Sequence, residues 1–162
     1  MGDKNVKMNK LFVLLFAIIM SCTSTPSQSS RNAGSSGDIL ASEPQGGTET
    51  AGFTIIKDEA ELQKIIKGNS GLIDLGKDTP PVNYPPFPEN KKVILYNLGT
   101  FRSGNHAITQ IKSLSVKDNV LYVEVPLKES GGMEIQVISQ PWLIFTAPSD
   151  YQFNSVELKY SK

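Results

Sequence analysis

The sequence predicts a mostly β domain of the α+β kind: a small antiparallel β-sandwich or barrel with one amphipathic helix packed on it. Three observations carry that expectation. Turn signals recur about every ten residues between Lys91 and Tyr160, the spacing of short strands in small barrels and sandwiches. Val93-Ile94-Leu95-Tyr96-Asn97-Leu98 is nearly continuous in apolar and aromatic residues, as a central strand covered on both faces requires. Only Asp58 to Lys67 carries helical spacing together with helix end signals.

Met1 to Cys22 reads as an export signal, with Lys4, Lys7 and Lys10 ahead of the apolar run Leu11 to Met20. Met8 serves equally well as the start. As a helix the apolar run rises about 15 Å, whereas crossing a bilayer core takes about 20 residues, so it is no membrane span. It ends in Ile19-Met20-Ser21-Cys22, which resembles the bacterial lipobox, with Met20 an unusual spacer and Cys22 the sole cysteine of the chain. That resemblance implies a mature N-terminus at Cys22 carrying two or more acyl chains, enough for stable anchoring in a lipid bilayer. With Thr23 and Ser24 rather than Asp after the cysteine, it further implies the outer membrane, the domain lying on the periplasmic side or at the cell surface. The competing reading is an ordinary secretory signal with a chance cysteine.

Residues 23–51 are rich in Ser, Thr, Gly, Pro and Gln and poor in large apolar side chains, a composition that cannot offset its own chain entropy. They read as a disordered tether of roughly 30 Å root-mean-square span. Residues 52–162 then form a single β-rich globular domain. Its twelve Lys/Arg balance twelve Asp/Glu, so it offers no basic field and no nucleic acid is expected as partner.

Within that domain Phe53-Thr54-Ile55-Ile56 is a short strand. The helix follows, capped by Asp58, with acids in its first turn, Leu62, Ile65 and Ile66 on one face, and Gly68 at the left-handed position past its end. Thr79 to Pro88 contains five prolines and is extended, a rigid crossover whose Tyr84 and Phe87 reach the core; it also has the form of a polyproline ligand. Lys91 to Ile111 reads as a central hairpin: the buried strand, a loop from Gly99 to His106 in which Gly99 and Gly104 can take positive φ, and a second apolar run with a bulge near Thr109. Lys117-Asp118-Asn119 is a turn. Leu121, Val123, Val125 and Leu127 alternate with Tyr122 and Glu124 as a strand buried on one face. Lys128 to Met133 turns into a β-type run at Ile135 to Ile138. Pro141 interrupts it, Trp142 to Ala147 resumes, and Phe153 to Tyr160 is the last strand.

With that order established, Gly52 to about Leu158 resembles the protease complex subunit PrcB family. The landmarks are the helix near Leu62, Phe87 before Lys92 to Leu98, Gly99, the loop Ser103-Gly104-Asn105-His106 with Ile108, and Gln140-Pro141-Trp142 leading into Leu143-Ile144. The family's turn is Thr-Gly-Gly-Tyr-like where this chain has Ser-Gly-Asn-His, so a shared contact there does not carry over. The resemblance implies a non-catalytic envelope lipoprotein that helps a secreted protease complex assemble or stay in place.

The residues themselves give catalysis little purchase. His106 is the sole histidine; Ser103 lies three residues before it with Asp118 or Asp150 as orienters, but no strand-to-helix elbow frames them. One histidine and no further cysteine leave only carboxylates for a metal, and no phosphate or dinucleotide fingerprint occurs, so no cofactor and no enzyme activity are expected. The candidate partner-binding residues are Arg102, Ser103, Gly104, Asn105, His106 and Trp142, with Cys22 as the lipidation site. Two functions fit them: docking of a protein partner in the envelope, or inhibition of a protease by a glycine-containing loop entering its cleft. The plainer readings, a structural β-connection for the loop and a core aromatic after a proline for Trp142, stand beside these and carry the greater weight.

Overall fold

The computed structural model describes residues 36–69, 84–102, 104–127 and 136–162. Among them are β1 (Ile39–Glu43), β2 (Gly52–Ile56), α1 (Glu59–Asn69), β3 (Lys91–Asn97), β4 (Ser113–Lys117), β5 (Val120–Pro126), β6 (Trp142–Pro148) and β7 (Ser155–Ser161). The strands form a four-stranded sheet in the order β1-β6-β3-β2 and a three-stranded sheet in the order β4-β5-β7. They pack as a sandwich and do not close into a barrel.

The apolar patterns explain the layering. One face of the four-stranded sheet sends Ile94, Leu143, Phe145 and Ala147 against Leu114, Leu121, Val123, Val125 and Val156 of the other sheet. Its opposite face sends Val93, Leu95, Trp142 and Ile144 against Leu62 and Ile66 of α1, joined by Ile56 and flanked by Tyr84 and Phe87. β3 and β6 are therefore covered on both sides, which is why their sequences are apolar without alternation. β5 faces one core only and alternates, Leu121, Val123 and Val125 all being fully buried. Trp142 and Phe145 are 1% and 0% exposed, and burying a side chain of that kind contributes about 1.5–3 kcal/mol.

Local signals hold where they are stereochemical. Asp58 Oδ1 accepts the amide of Glu61 at 2.8 Å, and Glu61 Oε2 accepts that of Lys57 at 2.8 Å, so both ends of a capping exchange are present at the start of α1. Asp118 and Asn119 have φ of 52° and 62° in a two-residue turn with Lys117 opposite Val120, the left-handed pair that matches strand twist.

Six expectations are corrected. Residues 39–43 fall in the stretch read as tether yet form β1, pairing antiparallel with β6; Ile39, Leu40 and Ala41 reach the two cores, so even sparse apolar residues suffice for an edge strand beside a fully apolar neighbour. The register shifts between Ile39 and Ala41, and this irregularity replaces the bulge expected near Thr109, where there is no strand. α1 runs through Gly68 to Asn69, so Gly68 is helical rather than a left-handed cap. Lys91 to Ile111 is not a hairpin: residues 98–112 carry the chain from one sheet to the other, and residues 136–138 of the run at Ile135 to Ile138 form no strand. Finally, β7 lies parallel to β5, because β6 is interposed in the other sheet and returns the chain to the end from which β5 began.

Candidate functional site

At the end of the four-stranded sheet where Trp142 lies opposite both Glu43 and Asn97, three connections converge: residues 44–51, residues 98–106 and residues 136–141. Main-chain hydrogen bonds lock them together. Leu98 N donates to Pro141 O at 3.0 Å, Gly47 N to Gln140 O at 2.8 Å, and Phe101 and Ser139 exchange two bonds of 2.9 Å. The Gln45 side-chain amide donates to Ile138 O at 3.2 Å, and Thr48 N to the buried Asn97 Oδ1 at 3.2 Å.

These contacts decide the role of each residue of the loop. Gly99 and Gly104 have φ of 85° and 65°, as their placement in the loop suggests. Asn105 is exposed, and its Oδ1 accepts the amide of Ala107 at 2.9 Å, an Asx turn that shapes the loop from within. His106 is half-buried and stacks on Phe101, ring centroids 4.0 Å apart at 23°. Arg102 is exposed. Ser103 lies outside the described residues. Trp142 is a correction: its ring fills the core beneath α1 and its Nε1 donates to Gln45 O at 2.8 Å, so it braces the 44–51 connection from inside and offers no surface to a partner.

Among the described residues, neither orienter weighed above lies beside the loop that carries His106. Asp150 follows Pro148 at the opposite end of the central sheet, and Asp118 lies in the turn whose Asn119 carbonyl accepts the amide of Asn154. At that opposite end a half-open cavity of about 270 Å³ is lined by Ser36, Asn90, Lys91, Thr146 and Pro148. Two of its polar side chains are engaged structurally: Lys91 pairs with Asp38, and Thr146 Oγ1 accepts the amide of Asp38 at 3.1 Å. The hydrogen bond from Lys91, then its charge, holds the Asp38 carboxyl below the usual carboxylate range.

Two residues that the sequence assigned to a strand belong to the converged end instead. Val137 and Ile138 are 47% and 66% exposed, side by side on the segment braced by Phe101 and Gln45. The signal for this was Pro141, which supplies no amide to a ladder and so ends regular pairing ahead of β6. Comparison with protein-family models, with curated proteins and with solved structures finds nothing that matches this chain.

Proposed function

We propose that this chain is a lipid-anchored binding protein of the cell envelope, held in the outer membrane through acylated Cys22, that docks a protein partner without catalysing a reaction. The observation that carries the reading is the juxtaposition of the Arg102 to His106 loop with the exposed Val137 and Ile138 on a braced backbone. Adjacent exposed aliphatic side chains on a rigid, polar-rimmed frame are what a protein contact uses. The landmarks shared with the PrcB proteins support a secreted protease or its complex as that partner. Metabolic labelling with a clickable fatty acid should mark the wild type and not Cys22→Ala. A photo-crosslinking residue at Ile138 in the full chain should then yield an adduct in cells that the same residue at Lys159, on the exposed face of β7, does not. Equal yields from the two positions would count against the site.

A second reading, protease inhibition, is favoured by one feature. The carbonyls of Ile138, Ser139, Gln140 and Pro141 are all tied back to the scaffold while Val137 and Ile138 face outward, the posture of a segment offered to a cleft without yielding to it. The two readings part on activity. A docking protein leaves hydrolysis by the crosslinked protease unchanged or raised, and an inhibitor lowers it in a way that Ile138→Asp relieves.

A further inference from the structure

We infer that β2 is a self-pairing edge, to which a second copy of this chain adds its own β2, antiparallel and centred on Thr54. This goes beyond the docking reading and does not depend on it, because it concerns main-chain groups of a sheet edge and not the surface at Val137 and Ile138. Among the described residues the two sheets leave four strand edges, on β1, β2, β4 and β7. Three of them carry what ordinarily discourages pairing with another chain. β1 has a register shift between Ile39 and Ala41 and ends in Glu43; β4 ends in the exposed Lys117, with the exposed Lys112 just ahead of it; β7 bears the exposed Glu157 and Lys159. β2 has no charge, no proline and no shift. Gly52 to Ile56 pair with Asn97 to Val93 in unbroken register, and a side chain added at Gly52 would meet nothing within 4 Å.

Hydrogen-bond alternation fixes what this edge presents. Thr146 N donates to Asp38 O and Leu98 N to Pro141 O, so Ile94, Tyr96 and Leu98 bond towards β6, and Val93, Leu95 and Asn97 bond towards β2. Their partners Ile56, Thr54 and Gly52 are thereby used, and the amides and carbonyls of Phe53 and Ile55 point away from the sheet. With Thr54 opposite the second copy's Thr54, Phe53 of each copy stands opposite Ile55 of the other, and these two pairs exchange all four amides for all four carbonyls. The contact is isologous and sets an aromatic against a β-branched side chain twice. Another extended peptide would meet the same main-chain groups, but the reciprocal Phe53 and Ile55 match about one axis is what the chain's own β2 supplies. Lys57, the first charge after the strand, falls opposite Ala51 and six residue steps, about 20 Å, from its own counterpart, so no like charges meet. Ile55 is exposed in the single chain, as is Tyr160 on β7, the strand of the other sheet that approaches β2, so this side leaves apolar surface for the second copy to cover. One five-residue edge makes an interface at the low end of the size range, near or below roughly 1,200 Å², so monomer and dimer exchange with concentration.

Opposed residues that exchange no hydrogen bonds have Cα atoms about 4.5 Å apart, within the reach of a disulfide, so Thr54→Cys tests the axis directly. In the full chain carrying Cys22→Ala, kept in detergent solution, the introduced thiol is the sole one. On mild oxidation Thr54→Cys should give at least about fivefold more disulfide-linked dimer than either of two controls, because neither control meets its own counterpart in this register. One control is Gly52→Cys, on the same strand but opposite Ile56, and the other is Lys117→Cys, on the edge of β4. Equal yields from the three variants, or no dimer from Thr54→Cys, would overturn the pairing. Hydrogen exchange on the chain without an introduced cysteine reads the same edge with no variant that has to fold. Protection of the Phe53 and Ile55 amides should rise with protein concentration between about 10 µM and 1 mM. Amides that stay unprotected throughout would overturn the inference. So would full protection in a chain that sediments as a monomer at every concentration, which would assign the edge to another segment of the same chain.

Discussion

The indole of Trp142 lies between β6 and α1 with its one polar atom bonded to Gln45 O, so truncation removes a large buried volume and orphans a carbonyl together. Trp142→Ala should lower stability by about 3–5 kcal/mol, measured by denaturant unfolding. His106 marks the middle of the scale. Losing its stack on Phe101 should cost about 0.5–1.5 kcal/mol, whereas Arg102→Ala at the exposed tip should stay within about 0.5 kcal/mol. A His106→Ala variant as stable as wild type would return this ring to the partner-contacting set. Backbone geometry sets two further costs. Gly104→Ala should lose about 1 kcal/mol from its φ of 65° alone; Gly46→Ala should lose more, because at φ 97° an added Cβ would stand 1.8 Å from the carbonyl oxygen of Asn69. Ser139 reverses the sign. Its backbone is fully paired with Phe101, but its Oγ, in a residue 1% exposed, has no hydrogen-bond partner among the described residues, so Ser139→Ala should be neutral or stabilising in the same unfolding assay.

At the level of elements, what the sequence made legible was whatever one residue or one period settles alone. Asp58 caps α1 because a short carboxylate reaches the free amides of the first turn wherever such a turn begins, and Asp58→Ala should cost about 1 kcal/mol in thermal or chemical denaturation. The Asp118-Asn119 turn and the alternation of β5 were readable for the same reason. Hidden were the features set by neighbours distant in sequence: β1 is a strand because β6 lies beside it, and Val137 and Ile138 are exposed because Phe101, thirty-eight residues before Ser139, captures the backbone that follows them. The ends of β1 show the same dependence in their electrostatics. Lys91 depresses the pKa of Asp38, so the pair's contribution is present above the ordinary carboxylate value near 4 and is lost as pH falls through the lower folded value. The stability gap between wild type and Lys91→Met should accordingly be constant from about pH 5 to 7 and close below about pH 4. Both side chains are largely exposed, 43% and 62%, so the gap itself is expected to be small, and one that widens on acidification would refute the assignment.

For the molecule as a whole the consequential difference between composition and structure is where the domain begins. Ser, Gly and Pro dominate residues 23–51, and read by composition alone the fold starts at Gly52; the pairing of Ile39–Glu43 with β6 moves that boundary to about Ser36. Three things depend on the moved segment. β1 covers one edge of the four-stranded sheet, Ile39, Leu40 and Ala41 pack against its two cores, and residues 45–48 supply the carbonyl that receives the Trp142 indole and the amides that meet Gln140 O and Asn97 Oδ1. Removing them would leave an apolar strand as an open edge, a known route to aggregation, and would strand buried polar groups on β3 and β6. A chain beginning at Ser36 should therefore melt within about 2 °C of one beginning at Thr23, while a chain beginning at Gly52 should lose at least about 3 kcal/mol, roughly 10 °C or more in a domain of this size, or aggregate on expression. Matching melts for the Gly52 and Ser36 chains would show that β1 is a dispensable addition, and the brace behind Val137 and Ile138 would then have to be sought in Phe101 alone.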